Sequence, residues 1–197
     1  AAHSGHERVV ELLMQHGAEI NLQSSNDDTT LMLAAFQGHV ERVVELLLRL
    51  GTEIDKKQSG GTTALMLAAL GGHERVADLL LQHGAQVDMQ HGGGTTALMF
   101  AASHGHERVV ELLLQQGAEM NTQNIDGETA LMQAAIEGHP AVVLRLLRAG
   151  ADKALRAENN MTALQCARKK GNDECVRAIE EHASAEAAAE AAAREAE

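Results

Sequence analysis

The sequence predicts an all-α protein, a solenoid in which pairs of short helices repeat about every 33 residues. The pair Gly-His recurs at residues 5, 38, 72, 105 and 138, at spacings of 33 or 34 residues, and Gly171-Asn172 extends the series. A second glycine follows each pair, at residues 17, 51, 84, 117 and 150. Residues 61–85, GTTALMLAALGGHERVADLLLQHGA, are nearly duplicated at 94–118, GTTALMFAASHGHERVVELLLQQGA. Self-similarity at this period is characteristic of repeat architectures.

The first helix of a unit is predicted from the segment TTALMLAAL. Thr63 is placed to cap it, because a threonine hydroxyl accepts a hydrogen bond from a free backbone N–H of the opening turn. Ala64 to Leu70 are strong helix formers, and Gly71 and Gly72 then end the helix.

The second helix is predicted from about Glu74 to His83. Val76, Leu79 and Leu80, with Leu81 beside them, form the apolar stripe of a helix that is buried on one face. Gly84 suits the left-handed position that ends many helices. The polar, glycine-rich segment that follows is typical of an extended turn or hairpin.

Neither helix is long enough to be stable alone, and one unit cannot cover its own apolar face. Stacking the units covers that face, so that each repeat contacts only its neighbours and stability accumulates along the stack. The expected fold is therefore a solenoid.

These residues resemble the ankyrin repeat family. The family pattern G-x-T-P-L-H-x-A-A, then G-H, then L-L-x-x-G-A-D-V-N is met here by GTTALMFAA, GH and LLLQQGAEMN. The family's proline is replaced at residues 30, 64, 97, 130 and 163, and its first histidine is replaced by Met32, Met66, Met99, Met132 and Gln165. The resemblance therefore implies that the hydrogen bonds which this histidine makes between repeats are absent, and that methionines pack in its place.

Residues 1–182 are predicted to form one ankyrin-repeat domain, and alignment of the copies divides this domain into repeats. It comprises a partial repeat at 1–23, full repeats at 24–57, 58–90, 91–123 and 124–156, and a C-terminal capping repeat at 157–182. The first repeat lacks its opening turn and most of its first helix, so we expect the chain to be cut from a longer array; a natural N-terminus is the alternative. The repeat at 24–57 has one additional residue, placed at Val40. Near-identical copies such as residues 61–85 and 94–118 arise both by recent duplication and by design.

The last unit departs from the others. Asn160 replaces the turn glycine, Arg168 the second alanine and Ala183 the glycine that ends the second helix. Polar outward substitutions are expected of a capping repeat. Since the stretch that follows is almost entirely Ala and Glu, we expect helix from about Asp173 to continue into residues 183–197 and overhang the stack; a disordered tail is the alternative.

Composition excludes several classes of partner. The net charge of −12 repels phosphate backbones and anionic membranes, and Phe36 and Phe100 are the only residues among Phe, Tyr and Trp, whose rings commonly stack on bases. No apolar stretch approaches the length of a membrane span, and the first residues do not form a signal peptide. Cys166 and Cys175 suit buried thiols rather than a disulfide framework. We expect an intracellular, cytoplasmic protein that binds neither nucleic acid nor membrane.

Three patterns that resemble catalytic or metal sites favour structural roles. A helical zinc site needs a second histidine one turn after the first, where Val10, Ala77 and Val110 stand, so the Gly-His histidines are predicted to hydrogen-bond backbone in the turn between helices. Gly92-Gly93-Gly94 lacks the Lys-Ser/Thr ending of a phosphate loop, and no G-x-S-x-G elbow occurs. We predict no enzyme activity and no cofactor, and a packing role for the methionines.

The ankyrin resemblance implies protein binding along a concave face formed by the turn tips and first helices. The predicted helix positions on this face vary between repeats: Phe36, Gln37, Leu70, Ser103, His104, Ile136, Glu137, Lys169 and Lys170, with Gly71 at one of them and His3 and Ser4 in the first repeat. The predicted turn-tip residues are Asp27, Asp28, Thr62, Thr95, Asp126 and Glu128.

Apolar Phe36, Leu70 and Ile136 are candidate anchors, and the acidic tips would steer a partner that carries a basic segment. The predicted function is a non-catalytic protein-binding module, expected as a monomer unless its N-terminal face self-associates. The alternatives are a recruitment or regulatory arm of a larger enzyme and a structural spacer.

Overall fold

The computed structural model describes residues 6–38 and 41–195. Val40, the predicted insertion, and His3 and Ser4, two predicted binding residues, lie outside the described residues. Within the described ranges the chain forms eleven helices: α1 (Glu7–Gln15), α2 (Thr30–Gln37), α3 (Glu41–Arg49), α4 (Ala64–Gly71), α5 (Glu74–Gln82), α6 (Ala97–Ser103), α7 (Glu107–Gln115), α8 (Ala130–Glu137), α9 (Pro140–Arg148), α10 (Ala163–Lys170) and α11 (Asp173–Glu195).

The helices form two layers, as the predicted all-α solenoid requires. The first helices α2, α4, α6, α8 and α10 pack side by side in chain order, and each packs against the second helix that follows it. The second helices α1, α3, α5, α7, α9 and α11 form the other layer. Residues 23 and 29 form an isolated antiparallel bridge, the single strand-like pairing among the described residues.

Each first helix begins at a threonine cap. The Oγ1 atoms of Thr29, Thr63, Thr96, Thr129 and Thr162 accept hydrogen bonds from the backbone N–H three residues on, at 3.2–3.4 Å. The cap predicted at Thr63 is thus confirmed. Adjacent alanine pairs such as Ala101 and Ala102 are fully buried, and their small side chains allow the first helices to approach closely.

The second helices bury a stripe that differs slightly from the predicted one. In α5 the buried residues are Val76, Ala77 and Leu80, whereas Leu79 and Leu81 are half-buried. Besides α4, helix α5 packs against α3 and α7, and side chains of α5 that turn away from α4 keep some contact with solvent. Gly84 has the predicted left-handed conformation, with φ of +91°.

The C-terminal helix α11 runs without interruption from Asp173 to Glu195, as the sequence predicts. Cys175 on this helix and Cys166 on α10 are buried free thiols, which confirms the expectation for both. Burial raises the pKa of the Cys175 thiol to about 11. Both side chains therefore act as small apolar residues in the packing of the last repeat.

The Gly-His histidines connect neighbouring repeats. The Nε2 atoms of His73, His106 and His139 lie 2.9–3.0 Å from carbonyl oxygens at the end of the preceding repeat's first helix, those of Phe36, Leu70 and Ser103. A carbonyl only accepts, so Nε2 must carry the proton. The histidines do bond backbone, as predicted, but the backbone belongs to the previous repeat. Asn172 makes the equivalent contact with the carbonyl of Ile136 at 2.8 Å.

A second set of hydrogen bonds joins the repeats through short polar side chains. Asn21, Asp55, Asp88 and Asn121 accept from the backbone N–H of residues 53, 86, 119 and 152 in the next repeat, at 2.9–3.1 Å. The residues Met32, Met66, Met99 and Met132 are buried in the core, as expected. Side chains at positions other than the methionine position therefore make the hydrogen bonds between repeats.

Candidate functional site

Five tight turns precede the first helices and lie in a row. They span residues 24–28, 58–62, 91–95, 124–128 and 157–161, and each is closed by hydrogen bonds between its own backbone groups. Three contacts join successive turns: Gly92 N–H donates to Gly60 O at 2.8 Å, Ile125 N–H to Gly93 O at 3.0 Å, and Glu158 N–H to Asp126 O at 2.9 Å. The last four turns therefore form one continuous backbone surface.

Glycine makes this close approach possible. Gly61, Gly94 and Gly127 have φ between +71° and +82°, and a Cβ atom on any of them would lie 2.8–3.0 Å from backbone of the next turn. Asp27 occupies the same place in the first turn, with φ of +61°. Its Cβ prevents an equally close approach, and no backbone hydrogen bond joins turn 24–28 to turn 58–62 within the described residues. Gln23 bridges the two instead, through Lys57 O.

The predicted helix positions lie at the C-terminal ends of the packed first helices, so equivalent positions line up beside one another. We call these positions, together with the turn tips, the first-helix face. Phe36 is 49% exposed. The other predicted residues divide into a half-buried group of Gln37, Leu70, Ser103 and Ile136, and an exposed group of His104, Glu137, Lys169 and Lys170.

The predicted turn-tip residues also differ in exposure. Asp126 is exposed, and Asp27, Asp28, Thr95 and Glu128 are half-buried. Thr62, expected at the surface, has only 8% of its area exposed. Its side chain therefore offers little surface to a partner.

Four further residues belong to this face and were not predicted. Ile125, at the tip of turn 124–128, is 66% exposed. Leu67, Phe100 and Gln133 are half-buried one turn before the predicted helix positions. The sequence did signal the exposure of Ile125, because an apolar residue stands there in a polar turn. The polar side chain of Gln133 is a second such signal, whereas Leu67 and Phe100 are apolar residues within apolar helices and carry no sign of exposure.

The electrostatics of the face change along the stack. Asp27 and Asp28 lie at the first turn, Asp126 and Glu128 lie in the fourth turn, and Glu137 lies at the end of α8. Partial burial, with Asp126 and Glu137 nearby, raises the pKa of Glu128, whose carboxylate accepts a hydrogen bond from Gln133.

The positions between these two groups, in turns 58–62 and 91–95 and at the ends of α4 and α6, carry neutral side chains and histidine. Lys57 lies beside them and donates to Gln90 O at 3.0 Å.

The described residues contain no cluster of three or more His, Cys, Asp or Glu side chains placed to hold a metal ion. In the same part of the chain, none of the helices combines the length and the apolar character that crossing a membrane demands. The arrangement consists of exposed side chains on a rigid row of helices and turns. Such a surface is suited to contact with another macromolecule.

Comparison with protein families identifies the repeat. A family model described as ankyrin repeats, in three copies, matches residues 1–91, 31–124 and 98–191. A search of curated proteins found no match. Proteins of the matched family are in general protein–protein interaction modules and typically not catalysts. The family model spans nearly the whole sequence, and the two layers of helices agree with it: the chain belongs to the ankyrin repeat family.

Proposed function

We propose that this chain is a non-catalytic module that binds a partner protein on its first-helix face. One observation carries the proposal. The scaffold residues repeat almost unchanged, whereas the exposed and half-exposed helix ends differ in every repeat: Phe36-Gln37, Leu70-Gly71, Ser103-His104, Ile136-Glu137 and Lys169-Lys170. Side chains that vary on a constant framework are the ones free to specify a partner.

The binding energy is expected to come from a few apolar anchors. Phe36 is the most exposed of them, and Leu70 and Ile136 stand at equivalent places one and three repeats further along the chain. Burying an apolar side chain contributes about 25 cal/mol for each Å² removed from water. The charged residues around the anchors set the preference for a partner more than the affinity.

The experiment is affinity capture from cell extract with three forms of the chain. One is unaltered, one carries Phe36→Asp, Leu70→Asp and Ile136→Asp, and a matched control carries Gln15→Asp, Gln82→Asp and Gln115→Asp. The control adds the same three charges at exposed last residues of α1, α5 and α7, in the other layer. Circular dichroism establishes that all three forms are equally folded.

We expect proteins that are captured by the unaltered chain and by the control but lost from the anchor variant. Equal capture by all three forms would place the binding surface elsewhere and contradict the proposal. Capture of nothing by any form would instead favour a spacer without a partner.

A further inference from the structure

The first-helix face is acidic at two places that are three repeats apart. Asp27 and Asp28 form one acidic group at the first turn, and Asp126, Glu128 and Glu137 form the other in the repeat at 124–156. Between them the face presents Leu70, the glycines of two turns, and half-buried Leu67 and Phe100. An uncharged, partly apolar middle is thus bracketed by negative charge.

Neighbouring charges define the limits of this bracket. Beyond residues 124–156 the exposed Glu158 adds one more negative charge at the last turn, whereas the helix end carries Lys169 and Lys170, which would repel a cationic group placed past Glu137. Lys57, held beside the second turn by Gln90 O, adds a positive charge near the middle. Cations on a ligand are therefore favoured at the two acidic groups and disfavoured between and beyond them.

The distance between the two acidic groups follows from helix packing. Packed helices lie about 9 Å apart, so three repeats separate the acidic groups by roughly 27 Å. An extended chain advances about 3.3 Å per residue and would span this distance in roughly eight residues.

The middle of the bracket favours an extended ligand over a helical one. Its turns are built from Gly60, Gly61 and residues 92–94, so backbone rather than side chains forms much of the surface. Gly60 O and Gly93 O already accept from the next turn, so the N–H and C=O groups of an extended chain would bond to the turn groups that remain, whereas those of a helix are already paired.

We infer that the first-helix face binds an extended protein segment with basic residues at both ends and an apolar stretch of about eight residues between them. This inference rests on the proposed function and specifies the class of partner. The negative charges of the first-helix face attract the two ends of the segment, and Leu70, Leu67 and Phe100 contact the apolar centre of the segment.

A competition between two phage-displayed peptide libraries tests this spacing. One has Lys-Lys, eight random residues and Lys-Lys; the other has the same eight random residues followed by four lysines. Composition and charge are matched, and only the placement of the cations differs. The libraries are mixed in equal numbers, selected on the immobilised full chain, and counted by sequencing.

We expect the bracketed library to be enriched by about tenfold, since surface charge pairs contribute up to about 1 kcal/mol each. Apolar residues should accumulate among its random positions. The preference should disappear on a chain with Asp27→Asn and Asp28→Asn, which removes one acidic group. It should persist on a control with Glu45→Gln and Glu74→Gln, two exposed residues of the second helices.

Equal recovery of the two libraries, recovery of neither, or a preference that survives Asp27→Asn and Asp28→Asn would each overturn the inference. Loss of the preference in the control variant would also do so. None of these results decides the proposed function, because capture of a folded partner that depends on Phe36, Leu70 and Ile136 would still establish protein binding on this face.

Discussion

Helices α7 and α1 have almost the same sequence and very different surroundings. ERVVELLLQ and ERVVELLMQ differ at one residue of nine. Val109 and Leu113 of α7 are 1% and 0% exposed, whereas the matching Val9 and Leu13 of α1 are 45% and 49% exposed. Helix α7 packs against α6, α5 and α9, and α1 packs against α3. Burial here is a property of the neighbouring units rather than of the local sequence.

The largest expected effect on stability comes from replacing the same leucine in helices α7 and α1. Leu113→Ala should lower the free energy of unfolding by about 3 kcal/mol, because it leaves a cavity in a fully packed site. Leu13→Ala should cost about 1 kcal/mol, because half of that side chain is already in water. Urea denaturation followed by circular dichroism measures both. Equal costs would show that α1 is covered in solution.

A second pair of substitutions compares an interior turn with the first turn. Gly94→Asp should cost about 2 kcal/mol, because an L residue is strained at this left-handed position. Its Cβ would also lie 3.0 Å from Asn124 Cα. Asp27→Gly should leave stability unchanged or raise it by about 0.5 kcal/mol. The same denaturation measurement applies, and a Gly94→Asp chain as stable as the unaltered one would contradict the role given to this turn.

Removal of a helix cap should have a smaller effect. Thr96 is 1% exposed, and its hydroxyl accepts from Met99 N–H at 3.3 Å. Thr96→Ala should therefore cost about 1 kcal/mol, while Thr96→Ser, which keeps the hydroxyl, should cost less. If the two variants denature at the same urea concentration, the methyl group rather than the cap stabilises this site.

The smallest expected effect is a pH dependence at an interior interface. Burial, together with nearby His104, His73 and His139, lowers the pKa of His106 below its ordinary value of 6.5, although the hydrogen bond to Leu70 O opposes the shift. Glu74, Glu107 and Arg108 line the same cleft. The unfolded chain then binds the proton more readily than the folded chain does. The contribution of His106 to the free energy of unfolding is therefore complete above pH 6.5 and is lost as pH falls toward the lowered pKa of the folded chain.

The control for this prediction is His106→Asn, the change that the chain itself carries at residue 172, where the amide keeps the contact with the preceding repeat. Thermal denaturation between pH 5 and pH 7.5 should show a weaker pH dependence in the variant than in the unaltered chain. Identical pH dependence would mean that His106 titrates alike in both states.

Local features of the fold could be predicted from the sequence. The cap at Thr63, the left-handed Gly84 and the continuation of α11 depend on residues within one turn of the helix concerned, so the local sequence determines them. The single domain over residues 1–182 and the repeat boundaries within it stay predictions.

Contacts between repeats could not be predicted in the same way. His106 meets an oxygen 36 residues earlier, and the half-burial of Leu67 and Phe100 depends on how the first helices stack. Thr62 and Thr95 stand at the same place in nearly identical repeats, yet only the first is buried. These features depend on the relative placement of whole units, which a residue pattern within one unit does not contain.

The regular contacts between repeats make the length of the stack adjustable in evolution. His73 meets the carbonyl of Phe36, and His106 meets that of Leu70 one repeat on. Deleting residues 61–93 would bring His106 against Phe36, and Gly94 would follow Gly60 in an unchanged Gln-Ser-Gly-Gly-Thr turn. Recombination between the gene segments for 61–85 and 94–118 would make this deletion in one step and in frame. The first-helix face could thus gain or lose a whole repeat without a compensating mutation in the core.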